Sequence, residues 1–234
     1  MAQGTGFVFD DAFRRELREN AHHDGEVTFL ESVLRPGMVV MEGGANRGVT
    51  AAAIAKAVGN DGQVHAFEPV PEYFAALREN VARNRLVNVS AYNLALSDHT
   101  GHVAFYRHGE GSGVTFADDA DQIRVKTITI ADFLRTYSVP ALDFINFDCE
   151  GSELLIFREA RAVLREQRPP IFCEVHRQYL ELLGQSVQDV VDVLTAVGYD
   201  VQPIQVKDLN APSDFEQCSH VYASRPGRST NAFC

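Results

Sequence analysis

Cysteine is sparse and unpaired in this sequence. Cys149, Cys173, Cys218 and Cys234 are all there are, and no two stand at C-x-x-C spacing. Neither a disulfide framework nor a structural zinc site is therefore expected. Cys149 and Cys173 lie in apolar, strand-like runs, where a free thiol behaves as a small hydrophobe. No apolar run approaches the length needed to cross a bilayer. Met1-Ala2-Gln3-Gly4 does not open a basic region followed by an apolar block, so the expectation is a cytoplasmic protein with no membrane partner. Basic residues are outnumbered, with 21 Lys and Arg against 32 Asp and Glu and a net charge of −11. That argues against nucleic acid as a partner, because binding phosphates takes clustered cations. There is no internal repeat and no linker, and 234 residues suit one well-buried α/β domain.

What the sequence does have is concentrated in Val39-Val40-Met41-Glu42-Gly43-Gly44-Ala45-Asn46-Arg47-Gly48. It reads as a buried strand that ends in an acid, followed by a glycine-rich turn and the Ala-rich helix of residues 50–58. Such a junction can bring backbone N–H groups to a ligand, and its glycines allow close approach. The spacing E-x-G-x-x-x-G differs from the G-x-G-x-x-G of dinucleotide sites. A nicotinamide-dependent oxidoreductase is disfavoured on that ground.

The rest of the chain alternates strands with amphipathic helices. Strands are expected over 63–68, 89–92, 102–107, 125–129, 142–148, 171–176, 200–204 and 220–225. Helices are expected over 26–34, from Pro71 past Val81, over 131–137, over 152–165, and from Ser186 to Leu194. Residues 108–120 read as a loop. The pattern predicts an α/β fold, a mostly parallel seven-stranded sheet with helices on both faces. Residues 1–33 form a helical lead-in that either packs on the sheet or covers the site as a partial lid. The domain proper spans 34–225, and 226–234 is a flexible tail.

In such folds ligands bind beyond the carboxyl ends of the strands, and the acids gather there. Glu68 ends the second strand, where a carboxylate can accept hydrogen bonds from both hydroxyls of a ribose. Asn93 ends the third, placed to read an adenine edge. Asp148 and Glu150 follow the 142–148 strand, and Glu174 and His176 follow the next.

Taken together, Glu42-x-Gly44-Ala45-Asn46-x-Gly48, Phe67-Glu68-Pro69, Asn93-x-Ala95-Leu96-Ser97-Asp98, Asp148-x-Glu150-Gly151-x-Glu153 and Glu174-x-His176 resemble the FkbM-type methyltransferase family. The likeness runs from about Leu34 to His176 and more loosely to Arg225. It implies a Rossmann-like class I methyltransferase fold that binds S-adenosylmethionine and methylates a hydroxyl of a sugar, polyketide or other small metabolite, or of a glycan. Carried over by position, Glu42, Gly44, Asn46 and Gly48 would hold the methionine end, and Glu68 the ribose. Asp148, Glu150 and His176 would face the transferred methyl and the acceptor. Three positions depart from the family's usual pattern. Glu42 stands for Asp, Asn146 for a Lys, and Ala131 for an acid; the last two bear on the acceptor side.

An alcohol acceptor needs a base, and His176 or a desolvated Asp148 can serve. Alternatively Asp148, Glu150, Glu174 and His176 converge on a divalent cation such as Mg²⁺ that orients a diol, with Asp148, Glu174 and His176 as the core ligand set. Glu150 and Glu153 also suit the start of a helix as favourable charges. Two rival functions stay open: a catalytically silent S-adenosylmethionine-binding protein, and an N-methyltransferase. The oligomeric state is open as well, a homo-oligomer included.

Overall fold

The computed structural model describes residues 21–107, 112–114, 121–208 and 210–227. Seven strands form the main sheet: β1 (Val39–Gly43), β2 (Gln63–Phe67), β3 (Val89–Tyr92), β7 (Phe144–Phe147), β8 (Ile171–Glu174), β9 (Asp200–Ile204) and β10 (His220–Ser224). Their order is β3-β2-β1-β7-β8-β10-β9. All pairings are parallel except those of β10, which runs antiparallel to both β8 and β9. A second, three-stranded sheet holds β4 (Ala95–Leu96), β5 (Gly101–Arg107) and β6 (Asp121–Ile128) in the order β4-β6-β5.

Side chains alternate across the main sheet as the period of two requires. Val40, Phe144, Phe172 and Tyr222 enter one core with α1 (Ala21–Val33) and α2 (Val49–Val58). Met41, Ile145, Cys173 and Val221 enter the other. That second core is covered by α4 (Ile130–Thr136), α5 (Glu153–Glu159), α6 (Arg161–Gln167), α7 (Arg177–Leu182) and α8 (Val187–Ala196). The remaining helix, α3 (Pro71–Arg83), packs Leu77 against Ala45, Ala51 and Ala66. The strands are hydrophobic on both faces because both faces are covered.

Most elements fall where the sequence places them, with instructive differences. The helix expected over 152–165 is two, broken at Ala160 (φ −73°, ψ 3°). An apolar stripe at helical spacing does not record a break when both halves bury onto the same core. The short helix α7 and strand β4 were not anticipated. Within the lead-in, Phe29 of α1 stacks on Phe172 at 4.2 Å, so this helix packs on the sheet. Residues 1–20 of the expected helical lead-in, most of the 108–120 loop and residues 228–234 lie outside the described residues. Among those described, Cys149, Cys173 and Cys218 are free thiols, and no helix is long and apolar enough to cross a membrane.

The turn after β1 is the tightest point of the fold. Gly44 has φ +81°, and a Cβ there would lie 1.7 Å from the Asp148 carbonyl oxygen. Gly48 has φ +89°, and a Cβ there would meet Leu77 at 2.6 Å. Substituting Gly44→Ala combines left-handed strain with a backbone clash, so a loss of more than about 2 kcal/mol is expected. Urea denaturation of the variant beside wild type measures it.

Candidate active site

The carboxyl ends of β1, β2 and β7 meet the three-stranded sheet around one cleft. Its empty volume, counted out into its open mouth, is about 640 Å³. Gly44, Asn46, Glu68, Asp148 and Cys149 line its polar part, and Val70, Leu96, Val103 and Phe105 an apolar remainder.

The β1 turn is tied to β2 by its own backbone. The N–H groups of Gly44 and Ala45 donate to the Phe67 carbonyl at 3.1 and 2.9 Å. That of Asn46 donates to Glu68 Oε2 at 2.8 Å. These three donors are therefore taken, contrary to the expectation that the turn presents its N–H groups to a ligand. It contributes acceptors instead: Asn46 Oδ1 is buried with no hydrogen-bond partner, and so is Asp148 Oδ1 across the cleft.

Glu68 also accepts from the Val70 N–H, through Oε1 at 2.7 Å. Each of its oxygens keeps a second lone pair. Burial raises its pKa to about 7, against the lowering effect of the two N–H groups. Asn93 does not fit its expected role of reading adenine. Its side chain is exposed, and its Nδ2 donates to the Glu68 and Pro69 carbonyls at 2.9 Å each. It braces the turn that carries Glu68.

Glu42 lies under the turn rather than in the cleft. It accepts a short hydrogen bond from the Thr50 hydroxyl, and burial raises its pKa to about 7, opposed by hydrogen bonds from Thr50 and Asn146. Asn146 sits beside Glu42 in the β1–β7 register and is itself buried. This departure thus falls on the floor beneath the loop, not on the acceptor side. At Ala131 the helix start is secured without the family's acid, because Thr129 Oγ1 accepts from the Asp132 N–H at 3.0 Å.

Beside Asp148 and Glu150, His176 stands at the N-cap position of α7. Its Nε2 lies 3.3 Å from Glu150 Oε2, 3.5 Å from Glu174 Oε1 and 3.8 Å from Asp148 Oδ1. Part of the Asp148 side chain opens to the cleft while Oδ1 is enclosed. Burial, then the Glu174 and Glu150 charges, hold its pKa well above the usual carboxylate range. Asp148, Glu174 and His176 each place a ligand atom within 4.8 Å of the others, and so do Glu26, Glu174 and His220. Glu174 therefore lies between two imidazoles, its Oε2 being 4.0 Å from His220 Nε2. Sequence reasoning missed Glu26 and His220. They lie 194 positions apart yet meet at 3.2 Å, and no local signal connects them.

Glu153, read above as a helix-start charge, is fully buried. Its Oε1 accepts from the Cys149 and Gly151 N–H groups at 3.0 and 3.3 Å. It thereby fixes the turn in which Glu150 (φ +52°) and Gly151 (φ +91°) both take left-handed geometry. Glu150 reaches His176 because of that turn.

The family model described as Methyltransferase FkbM domain matches residues 42–201. The 31-O-demethyl-FK506 methyltransferase FkbM of Streptomyces tacrolimicus is 25% identical over 201 residues, covering 72% of this chain and 75% of that protein. Among solved structures, Methyltransferase FkbM from Methylobacillus flagellatus KT superposes with a TM-score of 0.52 at 16% identity, over 92% of this chain and 56% of that one. A SAM-dependent methyltransferase from Aquifex aeolicus gives 0.50 at 18% identity, over 92% and 98%. At these identities the two structures establish the shared Rossmann-like methyltransferase fold.

The buried acids also set a pH dependence. Glu42, Glu68 and Glu153 each have a pKa near 7 in the folded chain, against about 4.3 in an unfolded one. Between those values the folded state holds more protons, so stability falls as pH rises. Glu153→Gln removes one such group. Its denaturation midpoint relative to wild type is expected to rise between about pH 5 and about pH 8, as urea titrations at the two pH values would read.

Proposed function

The chain belongs to the FkbM methyltransferase family, a family of S-adenosylmethionine-dependent enzymes, and from that premise we propose that it methylates a hydroxyl of a small metabolite or glycan. The observation that carries the proposal is the placement of His176 against Glu174 and against Asp148 and Glu150, the last two of which line a cleft whose other polar groups suit S-adenosylmethionine. The name of the Streptomyces relative points the same way, since it puts the methyl on an oxygen.

The cleft fits the cofactor group by group. Asn46 Oδ1 and Asp148 Oδ1 are buried acceptors that receive no hydrogen bond, the complement of an ammonium group. Glu68 has lone pairs for a ribose diol. Gly44 lines the same part of the cleft, whereas Glu42 and Gly48 hold the turn in shape from behind. When bound, S-adenosylmethionine supplies an electrophilic methyl for in-line displacement. The protein's part is to align the acceptor and exclude water. His176 would take the acceptor's proton, and the three carboxylates around it would stabilise the imidazolium that results.

The same donors support a second arrangement. Asp148, Glu174 and His176 would hold a divalent cation such as Mg²⁺, which would supply Lewis-acid orientation of two acceptor oxygens. The 4.8 Å cluster of ligand atoms favours it.

Transfer of labelled methyl to a panel of hydroxylated small molecules tests the proposal, and an ether product is expected. His176→Asn should lower kcat by about 10²–10⁴-fold while leaving affinity for S-adenosylhomocysteine unchanged. Loss of turnover on chelation, restored by Mg²⁺, would select the cation arrangement. Label on nitrogen would contradict O-methylation. Tight cofactor binding without transfer to any acceptor would make the chain a silent binding protein.

A further inference from the structure

Within the three-stranded sheet, Ala95, Val103, Phe105, Ile123 and Val125 share one face with Thr127, as the registers Ala95↔Thr127, Val103↔Val125 and Phe105↔Ile123 require. This face walls the apolar end of the cleft, where Val70 and Tyr73 close the opposite side. Of those six side chains, only Thr127 is polar. It is 3% exposed, lines the cleft, and its hydroxyl is buried with no hydrogen-bond partner. Leaving a hydroxyl in that state destabilises a fold by about 1–3 kcal/mol, and a valine would match its shape.

Neighbouring hydroxyls are differently employed. Two residues on, Thr129 caps α4 through its Oγ1. Ser97, also at the cleft, donates to Asp98 at 3.1 Å. Thr127 alone of these lines the cleft with a buried hydroxyl that bonds nothing in the protein.

We infer that Thr127 is a specificity residue for the cofactor's base, its hydroxyl hydrogen-bonding the polar edge of adenine while the apolar face around it covers the ring. The inference rests on the reading of the cleft as an S-adenosylmethionine site. A purine has flat apolar faces and a polar rim, and this end of the cleft offers apolar walls with the buried Thr127 hydroxyl among them.

Thr127→Val and Thr127→Ser, each titrated with S-adenosylhomocysteine and with adenosine, test the assignment. Thr127→Val should weaken both ligands by the same factor, about 3–15-fold, and Thr127→Ser should restore most of it. The ligand-free Thr127→Val protein should melt no lower than wild type, because its hydroxyl bonds nothing there; a hydroxyl with a structural role would give the opposite sign. Unchanged affinity in Thr127→Val, weakening for S-adenosylhomocysteine alone, or a lowered melting point would each overturn the inference. Failure of wild type to bind S-adenosylhomocysteine would instead remove the reading of the cleft on which it rests.

Discussion

One carboxylate joins the two turns from which the cleft is built. Glu68 accepts from the Asn46 N–H on the β1 turn and the Val70 N–H on its own. Asn93 holds the Glu68 and Pro69 carbonyls from the third strand end. Three parallel strands are thereby locked at their carboxyl ends. The lock matters because a turn with left-handed residues at Gly44, Asn46 and Gly48 has little intrinsic preference for one shape. A charge-assisted hydrogen bond is among the stronger restraints available to it.

The part of the cleft around Asp148 and Glu150 is governed by electrostatics. Asp148, Glu150 and Glu174 surround one imidazole, and Glu174 also faces a second, buried one. Carboxylates this close raise one another's pKa unless a cation or proton joins them. The arrangement suits a step in which a proton leaves an acceptor. Glu153 and the left-handed pair Glu150-Gly151 hold it in place from below.

Much of this could be read from the residues alone. The strand that ends in Glu42, the spacing to Gly48, and the acids after β2 and β7 located the cleft, because strand ends and tight turns leave local marks in a sequence. What failed to show was tertiary. Glu42 and Asn146 look like site residues until their register places them under the loop. Asn93 ends a strand as a ligand contact would, yet it braces a turn. The turn's N–H groups looked available because their partner, the Phe67 carbonyl, belongs to another strand. Thr127 reads as one more β-branched strand residue, and only the pairing of β4, β5 and β6 shows that its hydroxyl stands alone on an apolar face.

The central claim is that this cleft, organised by Glu68, is built for S-adenosylmethionine. Calorimetric titration of S-adenosylhomocysteine into wild type and into Glu68→Ala, both shown to unfold cooperatively, tests it most directly. Binding to wild type with a loss of about 10–100-fold in the variant is the predicted result, the size expected for charge-assisted hydrogen bonds. No binding to wild type, or equal binding to both proteins, would contradict it.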